Sequence, residues 1–156
     1  MLLDEYGVSG EQLVTLQTKK TKAPDSVSLT GVNDDIGEDV RLALFRSQFE
    51  IRQLEKRAYD MFLQNLVKGT SHLAIGQEAI AAGFATAMNP DDYTYCTYRG
   101  HAHTLARGAS MSGILGELMG RECGLLGGKG GSMHLTSVEH GAICLLYTSP
   151  SPRDRG

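Results

Sequence analysis

A long amphipathic helix is the first element that the pattern of apolar and polar positions predicts. Apolar or small residues recur at intervals of three and four, as on one helix face, at Val40, Leu44, Ser47, Ile51, Leu54, Ala58, Met61 and Asn65. Asp35 or Gly37 suits the start of this helix as a cap. The Lys68-Gly69 pair suits its end, because glycine tolerates the left-handed conformation that closes a helix.

Shorter elements follow this helix. The Ala-rich segment Gln77–Met88 predicts a second helix. Aromatic and polar residues alternate over Tyr93–Tyr98, which predicts a short strand. Ser110 or Ser112 suits the cap of a third helix that runs to about Met119. This order of elements predicts an α/β fold that is mostly helical here, as in the opening part of a larger domain.

The two ends of the chain differ from the middle. Residues 1–37 are mixed polar sequence and predict a mobile N-terminal arm, ahead of a domain over residues 38–142. Residues 144–154 read CLLYTSPSPRD, which back-translates in one frame to a widely used transposon-based sequencing adapter. Residues 143–156 are therefore predicted to be a non-native tail; a genuine Ser- and Pro-rich disordered tail is the alternative. The source DNA beyond the Ala142 codon distinguishes the two.

Composition narrows the class of protein. The chain has 41% apolar residues and a net charge of −3, so nothing indicates a nucleic-acid or anionic-membrane partner. Its cysteines are scattered and form neither a disulfide framework nor a CxxC metal site. The first residues, MLLDEYG, lack the pattern of a signal peptide, and no apolar stretch approaches a membrane span. We therefore expect a cytoplasmic protein.

Most of the candidate chemistry lies between Tyr98 and His134. This stretch begins with YRGHAHTLARG and ends with GLLGGKGGSMH, and five of the eight residues from 124 to 131 are glycine. Glycine permits backbone conformations in which successive N–H groups converge on one point. The Arg99 guanidinium can bind two phosphate oxygens at once. From the residues alone, we predict an oxyanion or phosphate site with histidines beside it.

Three motifs in this order carry a family resemblance: HLAIGQEA at residues 72–79, YRGHAH at 98–103 and GGKGGSMH at 127–134. From about residue 38 to 142, the chain resembles the alpha subunit of the thiamine-diphosphate-dependent first component of 2-oxo acid dehydrogenase complexes. The pyruvate and acetoin branches are the most similar. The resemblance implies the N-terminal part of a thiamine-diphosphate-binding fold. It also implies oxidative decarboxylation, or acetoin cleavage, with acyl transfer to a lipoyl group.

The resemblance assigns roles to four residues. Tyr98 and Arg99 would bind the cofactor, with Arg99 on its diphosphate. His72 and His101 would line the catalytic site, where imidazole can stabilise developing charge near neutral pH. His103 is expected to be structural, since two histidines without a further ligand make a weak metal site.

The resemblance also implies components that this sequence lacks. The family binds magnesium through a later Gly-Asp-Gly…Asn motif, which is absent here, so no metal ligand is predicted. The beta subunit contributes the glutamate that activates the cofactor, and a lipoyl-bearing acyltransferase accepts the acyl group. We therefore expect the 156-residue chain to be inactive by itself.

Two other functions remain open from the sequence. Lys129 does not belong to a Walker loop, because the spacing of the preceding glycines and the residue after it do not fit. Arg99 and the Gly-rich loop could still form a stand-alone module that binds a small anion or diphosphate. Alternatively, the long helix could dock on a partner without any catalysis. His134 lies near the expected site entrance or stabilises the loop.

Overall fold

The computed structural model describes residues 36–67 and 69–145. The predictions about the N-terminal arm and about most of the C-terminal tail therefore lie outside the described residues. The elements are, in chain order, α1 (Glu38–Leu63), α2 (Glu78–Ala87), β1 (Thr94–Cys96), α3 (Gly100–Ala106), α4 (Met111–Leu118), a 3-10 turn (Val138–His140) and β2 (Ala142–Cys144). β1 and β2 pair in parallel, with Thr94 opposite Ala142. The α/β fold class predicted from the sequence is confirmed.

Helix α1 matches the predicted amphipathic face in its second half. Ile51, Leu54, Ala58 and Met61 are buried, whereas Val40 near the start is exposed. The helix ends at Leu63 rather than at residues 68–69. It ends early because Asn65 adopts a left-handed conformation, with φ 61°, which asparagine tolerates better than most residues.

The second helix and the first strand lie within a few residues of their predicted bounds. Ser110 caps α4, since its hydroxyl accepts a hydrogen bond from the Gly113 N–H at 3.1 Å. Helix α3 was not predicted, because it has only seven residues, begins with glycine and has no side-chain cap. It carries the histidines of the YRGHAH motif. β2 spans the predicted boundary at residue 143, and the assignment of a non-native tail stays a prediction.

Small side chains bring the first three helices together. Ile51 of α1 packs in one buried cluster with Ala74, Ala81, Ala82 and Ala102. Alanine allows the helix backbones to approach closely, and Ala102 of α3 packs in the same cluster as Ala74 of the irregular segment between α1 and α2. A second cluster joins the end of α1 to α4 around Leu54, Ile114 and Leu135. These contacts position the motifs of residues 72–79 and 98–103 next to each other.

No helix formed by residues 36–67 and 69–145 is long and apolar enough to span a membrane.

Candidate functional site

His72, Tyr98 and Arg99 meet on one side of the molecule. His72 lies in the irregular segment before α2, and the other two lie between β1 and α3. The His72 and Tyr98 ring centroids are 4.6 Å apart, with the rings tilted by 54°. The Arg99 Cζ atom is 5.3 Å from the Tyr98 ring centroid, within cation–π range. The Arg99 Nε–H donates to the Leu73 carbonyl at 3.1 Å, which ties the two motifs together.

A cleft of about 260 Å³ opens beside these residues. It is lined by Tyr59, Phe62, Ser71, His72, Leu73 and Arg99. Within the part of the chain that the structure describes, only the Nε atom of Arg99 donates a hydrogen bond to a neighbour, so its two terminal nitrogens are available to a ligand. A guanidinium with available donors beside a partly aromatic wall suits a diphosphate or a carboxylate next to an apolar group. The residues present therefore fit the anionic end of thiamine diphosphate.

His101, the fourth predicted site residue, lies apart from the cleft surface. Its ring is completely buried. Its Nδ1 atom is 3.2 Å from Glu55 Oε2, and its Nε2 atom is 2.9 Å from Ser132 Oγ. The Ser132 hydroxyl is in turn 2.8 Å from the Ser71 hydroxyl at the cleft wall. His101 thus reaches the cleft only through two hydroxyl groups, and its catalytic role stays a prediction.

The Gly-rich loop converges on an anion, as its composition predicts, but the anion belongs to the protein. The fully buried Glu117 side chain of α4 accepts four backbone N–H groups of the loop. Its Oε2 accepts from Leu126 at 2.7 Å and Gly128 at 2.9 Å. Its Oε1 accepts from Gly130 at 2.6 Å and Gly131 at 3.2 Å. The prediction that these loop N–H groups bind a phosphate is wrong, because the four of them already donate to Glu117.

The electrostatics of Glu117 agree with this geometry. Burial alone would raise the pKa of its carboxyl group, but the four N–H donors outweigh burial and lower the pKa below its ordinary value. Gly128 adopts φ +75°, and a Cβ atom there would overlap the backbone of Gly120 and Arg121. Glycine is therefore needed where the loop folds back onto the end of α4.

The sequence contains a signal for the buried role of Glu117. In MSGILGEL, this acidic residue lies three positions after Ile114, on the face that packs into the core. A charged residue on a buried helix face needs a partner. The nearby Gly-rich loop is the segment able to supply several N–H donors.

Arg107, the second arginine of YRGHAHTLARG, is structural. Its guanidinium donates to four backbone carbonyls, which are those of Asn89, Pro90, Asp92 and His140, at 2.8–3.2 Å. These contacts hold the turn before β1 against the 3-10 turn before β2. Only one of the two motif arginines therefore reaches the cleft.

Glu78, from the HLAIGQEA motif, anchors the segment that carries His72. Its carboxylate pairs with Arg52 of α1 and accepts the Gly76 N–H with both oxygens at 3.0 Å. The hydrogen bond from Arg52 is the main cause that lowers the pKa of Glu78 to about 2, against the opposing effect of burial. Glu78 belongs to the motif, but the sequence alone indicates no role for it.

We predict that Glu78→Gln removes part of the acid sensitivity of folding. Because the folded-state pKa is lowered, ionised Glu78 stabilises the fold above the ordinary pKa of 4.5. This contribution is lost as the pH falls from 4.5 toward about 2. Thermal unfolding of the full-length protein across this range should show a shallower pH dependence in the variant. The exposed Glu139→Gln serves as a control, and parallel curves for wild type and Glu78→Gln would contradict the prediction.

Among residues 36–67 and 69–145, no three His, Cys, Asp or Glu side chains are grouped so as to hold a metal ion. His103 is half-buried, and burial lowers the pKa of its imidazole. Its expected structural role stays a prediction.

Comparison with known proteins assigns the family. The family model described as "Dehydrogenase E1 component" matches residues 46–149, more than half of the chain. The alpha subunit of the acetoin:2,6-dichlorophenolindophenol oxidoreductase of Bacillus subtilis (strain 168) is 35% identical over 106 residues, which cover 68% of this chain and 32% of that protein. Two pyruvate dehydrogenase E1 component alpha subunits also match. The mitochondrial one of Schizosaccharomyces pombe is 45% identical over 94 residues, or 60% of this chain and 23% of that protein. The alpha subunit of Rhizobium meliloti is 36% identical over 132 residues, which cover 85% of this chain and 36% of that protein.

The chain thus spans 23–36% of the length of these three relatives. The three motifs at residues 72–79, 98–103 and 127–134 all lie inside the matched range. The side chains of the first two motifs meet at the cleft described above. The chain therefore belongs to the dehydrogenase E1 component family.

Proposed function

We propose that this chain is part of the alpha subunit of a thiamine-diphosphate-dependent 2-oxo acid dehydrogenase of the pyruvate or acetoin branch. The reaction would be oxidative decarboxylation, or acetoin cleavage, with acyl transfer to a lipoyl group. One observation carries this proposal: His72, Tyr98 and Arg99 meet beside a cleft in a chain of the dehydrogenase E1 component family. The cytoplasmic location expected from the sequence belongs to the same proposal.

His72, Tyr98 and Arg99 each have a distinct task in this proposal. The Arg99 guanidinium binds the diphosphate with its terminal nitrogens, while its Nε–H stays on the Leu73 carbonyl. Tyr98 orients Arg99 and His72 through ring contacts. The His72 imidazole donates a hydrogen bond to negative charge that develops on the substrate oxygen. When bound, thiamine diphosphate supplies the electron sink for the carbanion chemistry.

The complete site needs groups beyond this chain. Magnesium would be held by oxygen ligands from a Gly-Asp-Gly…Asn motif, which this sequence does not contain. A beta subunit would supply the activating glutamate, and a lipoyl-bearing acyltransferase would accept the acyl group. Thiamine diphosphate binding and turnover should therefore be measured on the full-length alpha subunit assembled with its beta subunit.

The structure gives less support to a stand-alone anion-binding module. That function required the loop amides to be available, but four of them are bound to Glu117. No contact among the described residues specifically favours an interaction fragment.

We predict that His72→Ala lowers kcat at least tenfold while the Kd for thiamine diphosphate changes less than about threefold. Loss of an interaction made mainly with the developing charge reduces kcat more than ground-state binding. Steady-state kinetics and calorimetric titration measure the two quantities. His140→Asn is the matched control, because this histidine contacts Ser137 outside the cleft at 2.7 Å. An unchanged kcat in His72→Ala would exclude a role for His72 in the reaction.

A further inference from the structure

A hydrogen-bonded chain of four side chains connects the core to the cleft. It runs from Glu55 on α1 through His101 on α3 and Ser132 in the Gly-rich loop to Ser71. Glu55 and His101 are completely buried, and Ser132 is nearly so. Only Ser71, half-buried, lines the cleft. The order of donors and acceptors along these four side chains decides whether the Ser71 hydroxyl donates or accepts a hydrogen bond in the cleft.

The position of the ring hydrogen follows from the geometry at His101. Its Nε2 atom faces two oxygens of Ser132, the carbonyl at 3.2 Å and the hydroxyl at 2.9 Å. A carbonyl oxygen can only accept, so Nε2 carries a hydrogen. Nδ1 faces Glu55 Oε2 at 3.2 Å, and this contact on the other side of the ring leaves the assignment at Nε2 unchanged.

The directions of the hydroxyl hydrogens follow from which acceptors are in reach. The Ser132 hydroxyl accepts from the ring, and among residues 36–67 and 69–145 the Ser71 oxygen, 2.8 Å away, is the acceptor within reach of its own hydrogen, so we assign that hydrogen to this contact. The Ser71 oxygen therefore accepts in this contact and retains its hydroxyl hydrogen. No acceptor for that hydrogen is found among residues 36–67 and 69–145, and the cleft that Ser71 lines also contains Arg99.

We propose that Ser71 is a ligand-binding residue whose hydroxyl donates a hydrogen bond to an anionic oxygen of the group held at Arg99. Glu55, His101 and Ser132 are the positioning residues that direct this donor into the cleft. The inference rests on the proposed function, in which the oxygen belongs either to the diphosphate of the cofactor or to the carboxylate of a 2-oxo acid. Both are acceptors that strengthen a hydrogen bond by their charge.

The test compares Ser71→Ala, Ser71→Thr and His101→Asn in the full-length alpha subunit assembled with its beta subunit. Calorimetry with thiamine diphosphate at fixed magnesium gives the Kd, and initial rates with pyruvate give KM. Ser71→Ala should raise one of these constants about tenfold, the usual effect of losing a hydrogen bond to a charged group. A rise in Kd assigns the oxygen to the diphosphate, and a rise in KM alone assigns it to the substrate carboxylate. Ser71→Thr, which keeps the hydroxyl, should stay within about threefold of wild type.

His101→Asn should raise the same constant. The double variant of His101→Asn and Ser71→Ala should differ little from Ser71→Ala alone, because both changes act on the same donor, the Ser71 hydroxyl. A purely structural effect of His101 would instead add to that of Ser71→Ala. Ser137→Ala is the matched control. It removes the 2.7 Å contact between Ser137 Oγ and His140 Nδ1, which lies outside the cleft, and should change neither constant.

The inference is overturned if Ser71→Ala changes neither Kd nor KM in a folded protein. It is also overturned if Ser71→Thr raises the affected constant as much as Ser71→Ala does. Failure of the proposed function is recognised separately, since Arg99→Ala would then also leave the Kd for thiamine diphosphate unchanged. If Arg99→Ala weakens binding and Ser71→Ala has no effect on either constant, only the role of Ser71 is wrong.

Discussion

Replacing Glu117 by glutamine is expected to lower the free energy of unfolding by about 3 kcal/mol and to loosen the Gly-rich loop. The carboxylate accepts four backbone N–H groups with its two oxygens. A glutamine amide keeps one oxygen and presents an NH₂ group to the other two donors. Two of these N–H groups, which are buried or half-buried, then lose their acceptor, at a cost of about 1–3 kcal/mol each.

Denaturant unfolding of the full-length protein and limited proteolysis within residues 124–131 measure the effect of Glu117→Gln. Cleavage should become faster as the loop detaches from α4. Glu122→Gln is the matched control, because Glu122 is exposed and lies only five positions away. If Glu117→Gln were as stable and as resistant to protease as Glu122→Gln, the carboxylate would not organise the loop.

Replacing Arg99 by alanine is expected to raise the Kd for thiamine diphosphate tenfold or more. Charge-assisted hydrogen bonds contribute about 1.5–3 kcal/mol, and a factor of ten corresponds to about 1.4 kcal/mol. Arg99→Lys should recover only part of the affinity, because an ammonium is a point charge and cannot bind two oxygens in parallel. Loss of the Nε–H contact to Leu73 should also loosen the segment that carries His72.

Calorimetric titration of the full-length alpha and beta assembly measures this Kd at fixed magnesium. Arg46→Ala is the control, since the Arg46 side chain is 82% exposed and pairs with Glu50 on α1, outside the cleft. Equal affinities of wild type and Arg99→Ala would mean that the diphosphate lies elsewhere.

The family resemblance of two short motifs picks out three residues that lie together in the structure, His72, Tyr98 and Arg99, while their roles stay predictions. The structure adds the contact between the motifs, in which Arg99 donates to the carbonyl of Leu73, 26 positions earlier in the chain. Periodicity also gave the buried half of α1, because one helix face packs against several elements. Helix α3 was missed, because seven residues are too few to show a helical period.

The buried carboxylates show why the rest could not be predicted. Glu55 lies four positions after Ile51, at the spacing of the buried face, yet its partner His101 is 46 positions away. The chain offers several histidines, and only the packing of α3 against α1 selects this one. In the same way, composition predicted that the loop amides converge on an anion, but it could not show that Glu117 is that anion.

A crystal structure of the full-length alpha subunit with its beta subunit, thiamine diphosphate and magnesium tests the central claim most directly. We expect the terminal nitrogens of Arg99 to lie within hydrogen-bond distance of the diphosphate. The N–H groups of the Gly-rich loop should remain on Glu117, as they are here. A diphosphate bound by those loop amides, with Glu117 displaced and Arg99 out of reach, would contradict the account.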